Sequence, residues 1–344
     1  MYKHLIRRLL FLIDPERVHH IVSVILKFAF KVPFVSAISR NLLTIKDKRL
    51  ERTVFGIKFD NPVGIAAGFD KEANLYNEVS NLGFSHIEIG TVTPLPQKGN
   101  ERPRLFRVPQ DSALINRMGF NNIGMENIIK NLKRENHKLI IGGNIGKNTL
   151  TSNENSINDY VKCFEALFEY VDYFTVNVSC PNIKNLADLQ NTESLTEIVN
   201  GLKKINNSKP KPKPILIKIS PDLTTKQLDE MIELVINTKL DGIVATNTTT
   251  SRIGLKMEEE SLEKIGNGGL SGKPLTNRST EVIRYITQKS NNAFPVIGVG
   301  GILSPKDAMD KLKAGASLVQ LYTGFIYEGP TIARKINKKI LKEF

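Results

Sequence analysis

Polar side chains, glycines and lysines gather at the ends of eight short apolar segments in this chain of 344 residues. In chain order these groups are Gly68 with Lys71, Gly90-Thr91, Asn144-Ile145-Gly146-Lys147-Asn148, Asn177 with Cys180 and Asn182, Lys218, Thr246-Asn247-Thr248, Gly298-Val299-Gly300-Gly301, and Tyr322-Thr323-Gly324. Packing does not explain this pattern, because the segment interiors are apolar while their ends repeat a few polar types. A ligand site built from several strand ends does explain it.

Two lysines lie at or just past the end of an apolar segment, where an unpaired ammonium would be costly. Lys71 and Lys218 therefore indicate a fixed anionic partner, either a ligand or a core carboxylate. A lysine beside the N1/O2 edge of a flavin would stabilise the anionic form of the reduced ring. Gly300-Gly301 and Thr323-Gly324 would let backbone N–H groups approach a phosphate, unless these glycines serve only tight turns.

Asparagines also collect at segment ends or in the loops between segments. They are Asn116, Asn144, Asn177, Asn182 and Asn247. Each side chain offers both donors and an acceptor, so the set suits a heterocycle that bears C=O and N–H groups. The asparagines therefore predict a polar, neutral ligand edge.

The two cysteines have different surroundings. Cys163 lies in a helical stretch and is interpreted as a small buried apolar residue. Cys180 lies in a loop between Asn177 and Asn182, where a thiol could act as a base or a nucleophile. None of the five histidines is close to Cys180 in sequence, which disfavours papain-like chemistry, and none has metal-ligand spacing. We therefore expect no metal site.

The elements that must position these groups alternate regularly along the chain. We predict strands at 63–67, 87–91, 139–144, 173–178, 215–219, 242–246, 296–299 and 318–322. We predict helices at 73–82, 122–134, 157–170, 194–205, 225–238, 276–289, 305–314 and 330–342. Eight apolar strands alternating with eight helices indicate an α/β protein with a closed (β/α)8 TIM barrel. A doubly wound open sheet is the alternative, although the glycine fingerprint of a dinucleotide-binding turn is missing after the first strand.

Three long connections should carry the loops that cover the site. They follow strands 2, 4 and 6 at residues 92–121, 181–193 and 248–275. Loops of this length inside a compact domain are usually functional. We expect lids or substrate-binding loops there.

The first 40 residues differ from the rest of the chain. They hold seven Lys/Arg against two acids, and their apolar residues recur at helical spacing. Asp14-Pro15 divides them into two helices, with Asp14 as N-cap and Pro15 at the first helical position. Uncharged runs are far shorter than the ~20 residues that a membrane span needs. The sequence predicts an amphipathic hairpin at 1–40, which either lies on a membrane surface or packs on a catalytic barrel domain at 41–344.

The composition excludes several function classes. A formal charge of +13 invites nucleic acid as a partner, but its densest share lies in the hairpin, where Arg7, Arg8 and Lys27 are expected to meet anionic headgroups. Two cysteines are too few for a disulfide framework, a zinc ribbon or an iron–sulfur cluster. No additional RNA-binding domain is visible. We expect no nucleic-acid partner.

Ordered motifs along the whole chain resemble the dihydroorotate dehydrogenases. They lie at 64–71, 88–94, 116–122, 144–148, 177–182, 245–249, 269–272 and 298–302. The hairpin with Asp14-Pro15-Glu16-Arg17 is similar to the quinone-dependent, membrane-associated class 2 branch. The resemblance implies an FMN barrel that oxidises (S)-dihydroorotate to orotate in pyrimidine biosynthesis and passes electrons to a membrane quinone. It also implies a peripheral protein on the cytoplasmic face of the cell membrane.

The resemblance assigns roles residue by residue. It implies flavin contacts at Ala67, Gly68, Lys71, Thr91, Asn144, Asn177, Lys218, Thr246, Gly272, Gly301, Tyr322 and Thr323. It implies substrate contacts at Lys71, Asn116, Arg117, Met118, Gly119, Phe120, Asn177, Asn182, Asn247 and Thr248. It makes Cys180 the catalytic base, and it matches His19 and Arg107 to positions that line a quinone tunnel.

One position departs from the class 2 pattern. Class 2 enzymes usually have serine where this chain has Cys180, whereas cysteine is typical of the soluble class 1 enzymes. The hairpin favours class 2, because class 1 enzymes lack it. The alternatives are a class 1 enzyme that uses fumarate or NAD, another FMN barrel such as a tRNA-dihydrouridine synthase, and a non-enzymatic membrane-surface protein.

Overall fold

The computed structural model describes residues 2–133, 139–178 and 192–343. Its strands are β1 Arg52–Val54, β2 Ile57–Phe59, β3 Val63–Asp70, β4 His86–Val92, β5 Leu105–Val108, β6 Ala113–Asn116, β7 Ile140–Ile145, β8 Tyr173–Asn177, β9 Ile215–Ile219, β10 Gly242–Ala245, β11 Gly269–Gly272, β12 Val296–Val299 and β13 Leu318–Leu321. Its α-helices are α1 Arg7–Phe11, α2 Pro15–Phe30, α3 Pro33–Leu43, α4 Tyr76–Val79, α5 Met125–Leu132, α6 Ser156–Leu167, α7 Thr192–Asn207, α8 Thr225–Thr238, α9 Glu259–Ile265, α10 Thr276–Lys289, α11 Pro305–Lys313, α12 Thr323–Glu328 and α13 Ile332–Glu343.

Eight parallel strands close into a barrel in the order β3-β4-β7-β8-β9-β10-β12-β13. Closure is direct, because β3 pairs with β4 on one side and with β13 on the other. The barrel strands are buried almost throughout, as expected for strands covered by helices outside and by packed side chains inside. The predicted (β/α)8 barrel is confirmed, and the open doubly wound sheet is wrong.

Two small sheets complete the barrel, and neither was predicted as a sheet. The antiparallel pair β1–β2 precedes the first barrel strand, and its Val54 and Phe59 pack among interior residues such as Tyr173 and Leu216. The antiparallel sheet β5-β6-β11 is formed by the long connections after the second and sixth barrel strands. These two connections were expected to form loops over the site. In the structure they contribute the strands of this sheet.

The first barrel helix is shorter than predicted. The helix expected at 73–82 consists of α4 and a 3₁₀ turn at Ser80–Leu82. Residues 73–75 stay outside the helix. The buried carboxylate of Asp70 accepts hydrogen bonds from the backbone N–H groups of Asn74 (2.6 Å) and Leu75 (2.8 Å) and so holds these residues in a turn. Helices α8 and α10 have the predicted bounds.

The N-terminal segment forms a helical layer on the barrel. Asp14 caps α2 by accepting a hydrogen bond from the backbone N–H of Arg17 (3.0 Å), and Pro15 is the first helical residue, as predicted. A further helix, α3, was not predicted and runs across residue 40 to Leu43. None of the single helices described in the structure is long and apolar enough to cross a membrane. By length and composition alone, α2 and α3 pass that test together, with a bend of 107° between them.

Several charged side chains of this layer contact the rest of the chain. Lys3 pairs with Glu328 (2.5 Å), and the guanidinium of Arg7 donates to the carbonyl of Tyr327 (3.0 Å) and lies over aromatic rings. The guanidinium of Arg7, expected at lipid headgroups, is therefore used against the barrel. Glu16 of α2 binds Arg104 (2.8 Å) and Arg102 (2.7 Å), which connects the layer to the segment before β5.

Candidate functional site

A cavity opens at the carboxyl ends of the barrel strands and encloses about 1030 Å³, counting the part open to solvent. Of the residues predicted to contact flavin or substrate, it is lined by Ala67, Gly68, Lys71, Thr91, Asn116, Met118, Gly119, Phe120, Asn177, Lys218, Thr246, Asn247, Thr248, Gly272, Gly301, Tyr322 and Thr323. Strand ends far apart in sequence thus meet at one place, as a barrel requires.

A buried amide and hydroxyl network forms one wall of the cavity. Thr91 donates its hydroxyl to Asn144 Oδ1 (2.6 Å), and Asn177 Nδ2 donates to Thr91 Oγ1 (2.9 Å) and to Asn144 Oδ1 (3.2 Å). Asn144 itself is not among the lining residues and lies one hydrogen bond behind them. Its own Nδ2 donates to the buried carboxylate of Glu88 (3.2 Å). These bonds fix the amide that Asn177 presents to the cavity.

The charge of the cavity is positive. Lys71 and Lys218 are the charged residues among its described lining, which contains no carboxylate. Lys218 is 5% exposed at the end of β9, and Lys71 Nζ donates to Asn121 Oδ1 (2.5 Å). Two lysines without a carboxylate in the described lining give this part of the cavity a positive potential. This lining therefore favours an anionic ligand.

Two glycine-containing turns close one end of the cavity. Gly301 has φ +68°, and a Cβ there would lie 2.3 Å from Thr276 Cα. A Cβ on Gly324 would lie 1.8 Å from the carbonyl oxygen of Ile302, so the turns after β12 and β13 pack backbone against backbone. The first N–H groups of α12, at Thr323 and Gly324, have no partner within the helix, as at any helix start. These groups fit a phosphate at this end of the cavity.

The sheet β5-β6-β11 brings further groups to the cavity. Asn116, at the end of β6, donates to the carbonyl of Gly269 (3.2 Å), and the hydroxyls of Ser271 and Thr323 lie 2.8 Å apart. The structure does not bring Arg117, a predicted substrate contact, to the cavity lining. Its guanidinium donates to the carbonyls of Ile265 and Asn267, which follow α9, and it is not among the cavity-lining residues.

The two residues expected in a quinone tunnel lie between the N-terminal layer and the barrel. The ring of His19 meets the ring of Phe69 edge-on, with centroids 5.2 Å apart, and Phe69 in turn meets Tyr322 at 6.0 Å. Desolvation and the Lys71 charge lower the pKa of His19 to about 4. Arg107 donates to the carbonyl of Phe11 (3.2 Å), the last residue of α1, and to that of Ile13 (2.6 Å), two residues after the helix.

Several lining residues were not predicted as contacts. They are Ala66, Ser271, Leu275, Val299, Gly300, Ile302, Gln320, Leu321 and Gly324. Gln320 could have been recognised from the sequence, because it is a polar residue inside an apolar strand. Its Nε2 donates to Glu88 Oε1 (2.9 Å), and its Oε1 has no hydrogen-bond partner. Cys180 and Asn182 lie outside the described residues. The described residues contain no group of three or more His, Cys, Asp or Glu that could hold a metal ion.

Comparisons with known proteins agree with this site. A sequence profile described as dihydroorotate dehydrogenase matches residues 49–344. A curated relative from Christiangramia forsetii, named dihydroorotate dehydrogenase (quinone), is 58% identical over 343 residues, covering 100% of this chain and 99% of that protein. The chain belongs to the dihydroorotate dehydrogenase family. A relative of the same name from Idiomarina loihiensis is 45% identical and covers 97% of this chain and 98% of its own length.

Solved structures of the dihydroorotate dehydrogenase family share the fold. A crystal structure of DHODH from Eimeria tenella in complex with ferulenol matches with a TM-score of 0.84 at 32% identity, covering 96% of this chain and 91% of that chain. The ligand-free form of the Eimeria tenella protein matches with the same TM-score and identity, over 96% and 95% of the two chains. The barrel and its additions are therefore shared with this family across nearly the whole chain.

Proposed function

We propose that this protein oxidises (S)-dihydroorotate to orotate with FMN as cofactor and passes the electrons to a membrane quinone, as a step of pyrimidine biosynthesis. The observation that carries the proposal is the cavity lining, in which two lysines and no described carboxylate lie beside asparagine amides. A pyrimidine with a carboxylate, C=O and N–H groups matches that lining in charge and in hydrogen bonding. The names of the curated relatives support the same activity.

The flavin would lie along the residues that the sequence resemblance assigns to it. Gly301 and Thr323 would hold its phosphate, since they lie where two turns and a helix start meet. Lys218, buried at the end of β9, would lie against the ring and stabilise negative charge there. When bound, FMN accepts the hydride that leaves C6 of the substrate.

The substrate would be held by Lys71 and by amides from three elements. Asn116, Asn177 and Asn247 all line the cavity, and Lys71 supplies the charge for the carboxylate. We assign the removal of the C5 proton to Cys180, on the basis of its place three residues after Asn177. The thiolate takes that proton while hydride leaves C6, so that both C–H bonds break and a C5=C6 double bond forms. Because a free thiol has a pKa of ~8.5, this step should accelerate through mildly alkaline pH.

The quinone would approach between α2 and the end of β3. His19, Phe69 and Tyr322 form a continuous series of ring contacts from α2 to the cavity wall, which supports this route. The lowered pKa of His19 favours its neutral ring, which can donate one hydrogen bond and accept another. Arg107 would mark the other side of the route, where it holds the end of α1.

The N-terminal layer would lie on the cytoplasmic face of the cell membrane. Its exposed apolar residues are Leu5, Ile6, Leu9, Leu12, Ile13, Ile21, Val24, Ile25, Phe28, Val32, Phe34, Ile38 and Leu42. So many exposed apolar side chains on adjacent helices exceed what a free surface normally carries. An interfacial position would bury them and would bring the quinone route to the lipid.

One experiment tests the reaction. The purified protein should absorb in the flavin band, and anaerobic dihydroorotate should bleach that band in stopped flow. A soluble quinone should then restore it, whereas fumarate and NAD should not. A colourless protein, or a flavin that dihydroorotate leaves oxidised, would overturn the proposed function.

A second experiment tests the membrane surface. Phe28→Asp combined with Phe34→Asp should abolish flotation of the full chain with anionic phospholipid vesicles, because both side chains are exposed on the N-terminal layer. Ile236→Asp is the matched control, since Ile236 is exposed on the barrel helix α8. Equal flotation of the double variant and the control would refute the assigned surface. Bleaching by dihydroorotate should be unchanged in both.

A further inference from the structure

A fully buried lysine lies behind the glycine turn that ends β12. Lys311 of α11 donates to Ser279 Oγ (2.6 Å) and Thr280 Oγ1 (3.0 Å), and its Nζ lies 3.4 Å from the carbonyl oxygen of Thr276. All three partners are neutral and belong to the first turns of α10. Lysine is almost never fully buried without an anionic partner, so these contacts call for an explanation.

The contacts of Lys311 lead directly to the cavity wall. Ser279 Oγ, which receives the hydrogen bond from Lys311, lies 2.9 Å from the carbonyl oxygen of Gly300. Thr276 donates its hydroxyl to the carbonyl of Gly301 (2.7 Å). Gly300 and Gly301 both line the cavity. The ammonium is therefore two hydrogen bonds from the turn proposed to hold a phosphate.

The position is unfavourable for a cation while the cavity lacks an anion. The amino end of α10 carries partial positive charge, and its N-cap residue Leu275 offers no side-chain hydrogen bond. Burial lowers the pKa of Lys311 to about 7. An anion at the adjacent end of the cavity would favour the charged form of the lysine and the amino end of α10 together.

The charged groups nearest to Lys311 are engaged elsewhere. Asp307 and Asp310 of α11 both raise the pKa of Lys311, against the larger effect of burial. Asp307 accepts hydrogen bonds from the turn before α11, and Asp310 pairs with Lys306 (2.6 Å). At the end of α11, Glu343 of α13 pairs with Lys313 (2.6 Å). Within the described part of the chain, no carboxylate forms an ion pair with Lys311.

We infer that Lys311 is a positioning residue for the phosphate of the flavin. Through Ser279 its ammonium fixes the turn at Gly300 and Gly301, and its charge attracts the phosphate across that turn. The inference rests on the proposed FMN site and adds a residue that lines no part of the cavity. It predicts that Lys311 distinguishes a flavin with a phosphate from one without.

The test is a competition between FMN and riboflavin on the full-length holoprotein. The protein is equilibrated with mixtures of the two flavins, and the bound flavins are separated and quantified by chromatography. Lys311→Met should lower the preference for FMN by about tenfold or more, because one charge near the phosphate is lost. Lys306→Met is the matched control on the same helix and should keep the wild-type preference, since its side chain is 79% exposed.

The wild-type protein provides a second measurement that needs no variant. Above pH 7 the phosphate of FMN is doubly ionised, and ionisation of the ring is common to both flavins. Because Lys311 must be protonated to attract the phosphate, the preference for FMN should fall as pH rises from 7.5 to 8.5, by up to about tenfold. In Lys311→Met the preference should not change over this range.

The outcomes separate this inference from the proposed function. A wild-type protein that binds FMN, with a preference equal in Lys311→Met and Lys306→Met, would overturn the role of Lys311 alone. Equal weakening of both flavins in Lys311→Met would also overturn it, because that result indicates packing rather than attraction for phosphate. If Lys311→Met does not fold, a preference independent of pH in the wild type would refute the inference. A wild-type protein without flavin would overturn the proposed function instead.

Discussion

The ion pair between Glu16 and Arg104 should decide how firmly α2 stays on the barrel. Glu16 Oε1 lies 2.8 Å from Arg104 Nε, and the two side chains are 16% and 7% exposed. No residue of α2 is buried, so few other contacts hold this helix, and its local opening should require much less free energy than unfolding of the barrel. Glu16→Gln removes the charge while keeping the size of the side chain and one acceptor oxygen.

The free energy lost in Glu16→Gln depends on the hydrogen bonds that Arg104 keeps. Breaking a buried ion pair by removing one partner costs ~3–5 kcal/mol when the remaining charge is left unpaired. Arg104 still donates to the carbonyls of Lys98 (2.6 Å) and Asn100 (2.9 Å), and a glutamine can still accept one bond. The second ion pair of Glu16, with Arg102, contributes little because the Arg102 side chain is 74% exposed, so the expected loss is that of one hydrogen bond to a charged group, about 2 kcal/mol. The open population of α2 should rise by about 30-fold.

Hydrogen exchange followed by mass spectrometry measures this population directly. Peptides covering α2 should exchange about 30-fold faster in Glu16→Gln, while peptides covering the buried strand β9 should be unchanged. Glu260→Gln is the matched control, because Glu260 pairs with Lys264 on an exposed face where an ion pair contributes little. Exchange of α2 within threefold of wild type, or equal acceleration of β9, would refute the reasoning. The KM for quinone should rise in Glu16→Gln without a change in bleaching by dihydroorotate.

Three further changes test the site and its supports. Cys180→Ala should retain flavin and slow bleaching by orders of magnitude, and Cys180→Ser should keep partial activity with a more alkaline pH profile; near-normal stopped-flow reduction in Cys180→Ala would exclude a thiolate base. Gly301→Ala should lower flavin content and the melting temperature, because its Cβ would lie 2.3 Å from Thr276 Cα at a φ of +68°; unchanged flavin content would contradict the packing of this turn. Burial raises the pKa of Asp70 to about 6, so its carboxylate is less favoured in the folded state, and wild type should lose about 2 kcal/mol relative to Asp70→Asn as pH rises from 4 to 7. Denaturant titrations at both pH values measure that difference, and a constant difference would contradict it.

The barrel could be predicted from the sequence because its strands are buried on both faces. The run Val296–Val299 has no polar side chain, and Ile215–Ile219 is apolar except for Lys218; the structure has both strands with the predicted bounds. The strands of β5-β6-β11 escaped prediction for two reasons: β5 is mostly only half-buried, and β6 pairs with β11 across a separation of about 150 residues, as Asn116 does with Gly269. Local periodicity contains no information about such a partner. Helix α3 was missed for a different reason, because its apolar residues Phe34, Ile38 and Leu42 recur at helical spacing but lie beyond or near the end of the predicted hairpin.

The site could be predicted where a residue type stands out from its segment. Lys218 and Asn177 end apolar strands, and both line the cavity. Asn144 also stands out as a polar residue near the end of an apolar strand, but it does not line the cavity. It accepts a hydrogen bond from Thr91, which does line it, and residue spacing in the sequence does not distinguish these two positions. Arg117 follows Asn116 directly, yet its side chain leaves on the opposite face, because side chains alternate at the end of a strand. Adjacency in a motif therefore does not by itself bring a side chain to the cavity.

Lys311 shows why buried charge is the hardest part of such a site to predict. It lies in an amphipathic helix that also carries Lys306 and Lys313, and its type does not separate it from these exposed lysines. Only its position, three residues after the buried Ala308, places it on the inner face. With Lys71 and Lys218 it makes a third cation at or behind the cavity wall. Each of these cations is more stable when an anion is bound, so binding of the phosphate and the carboxylate must also stabilise the fold.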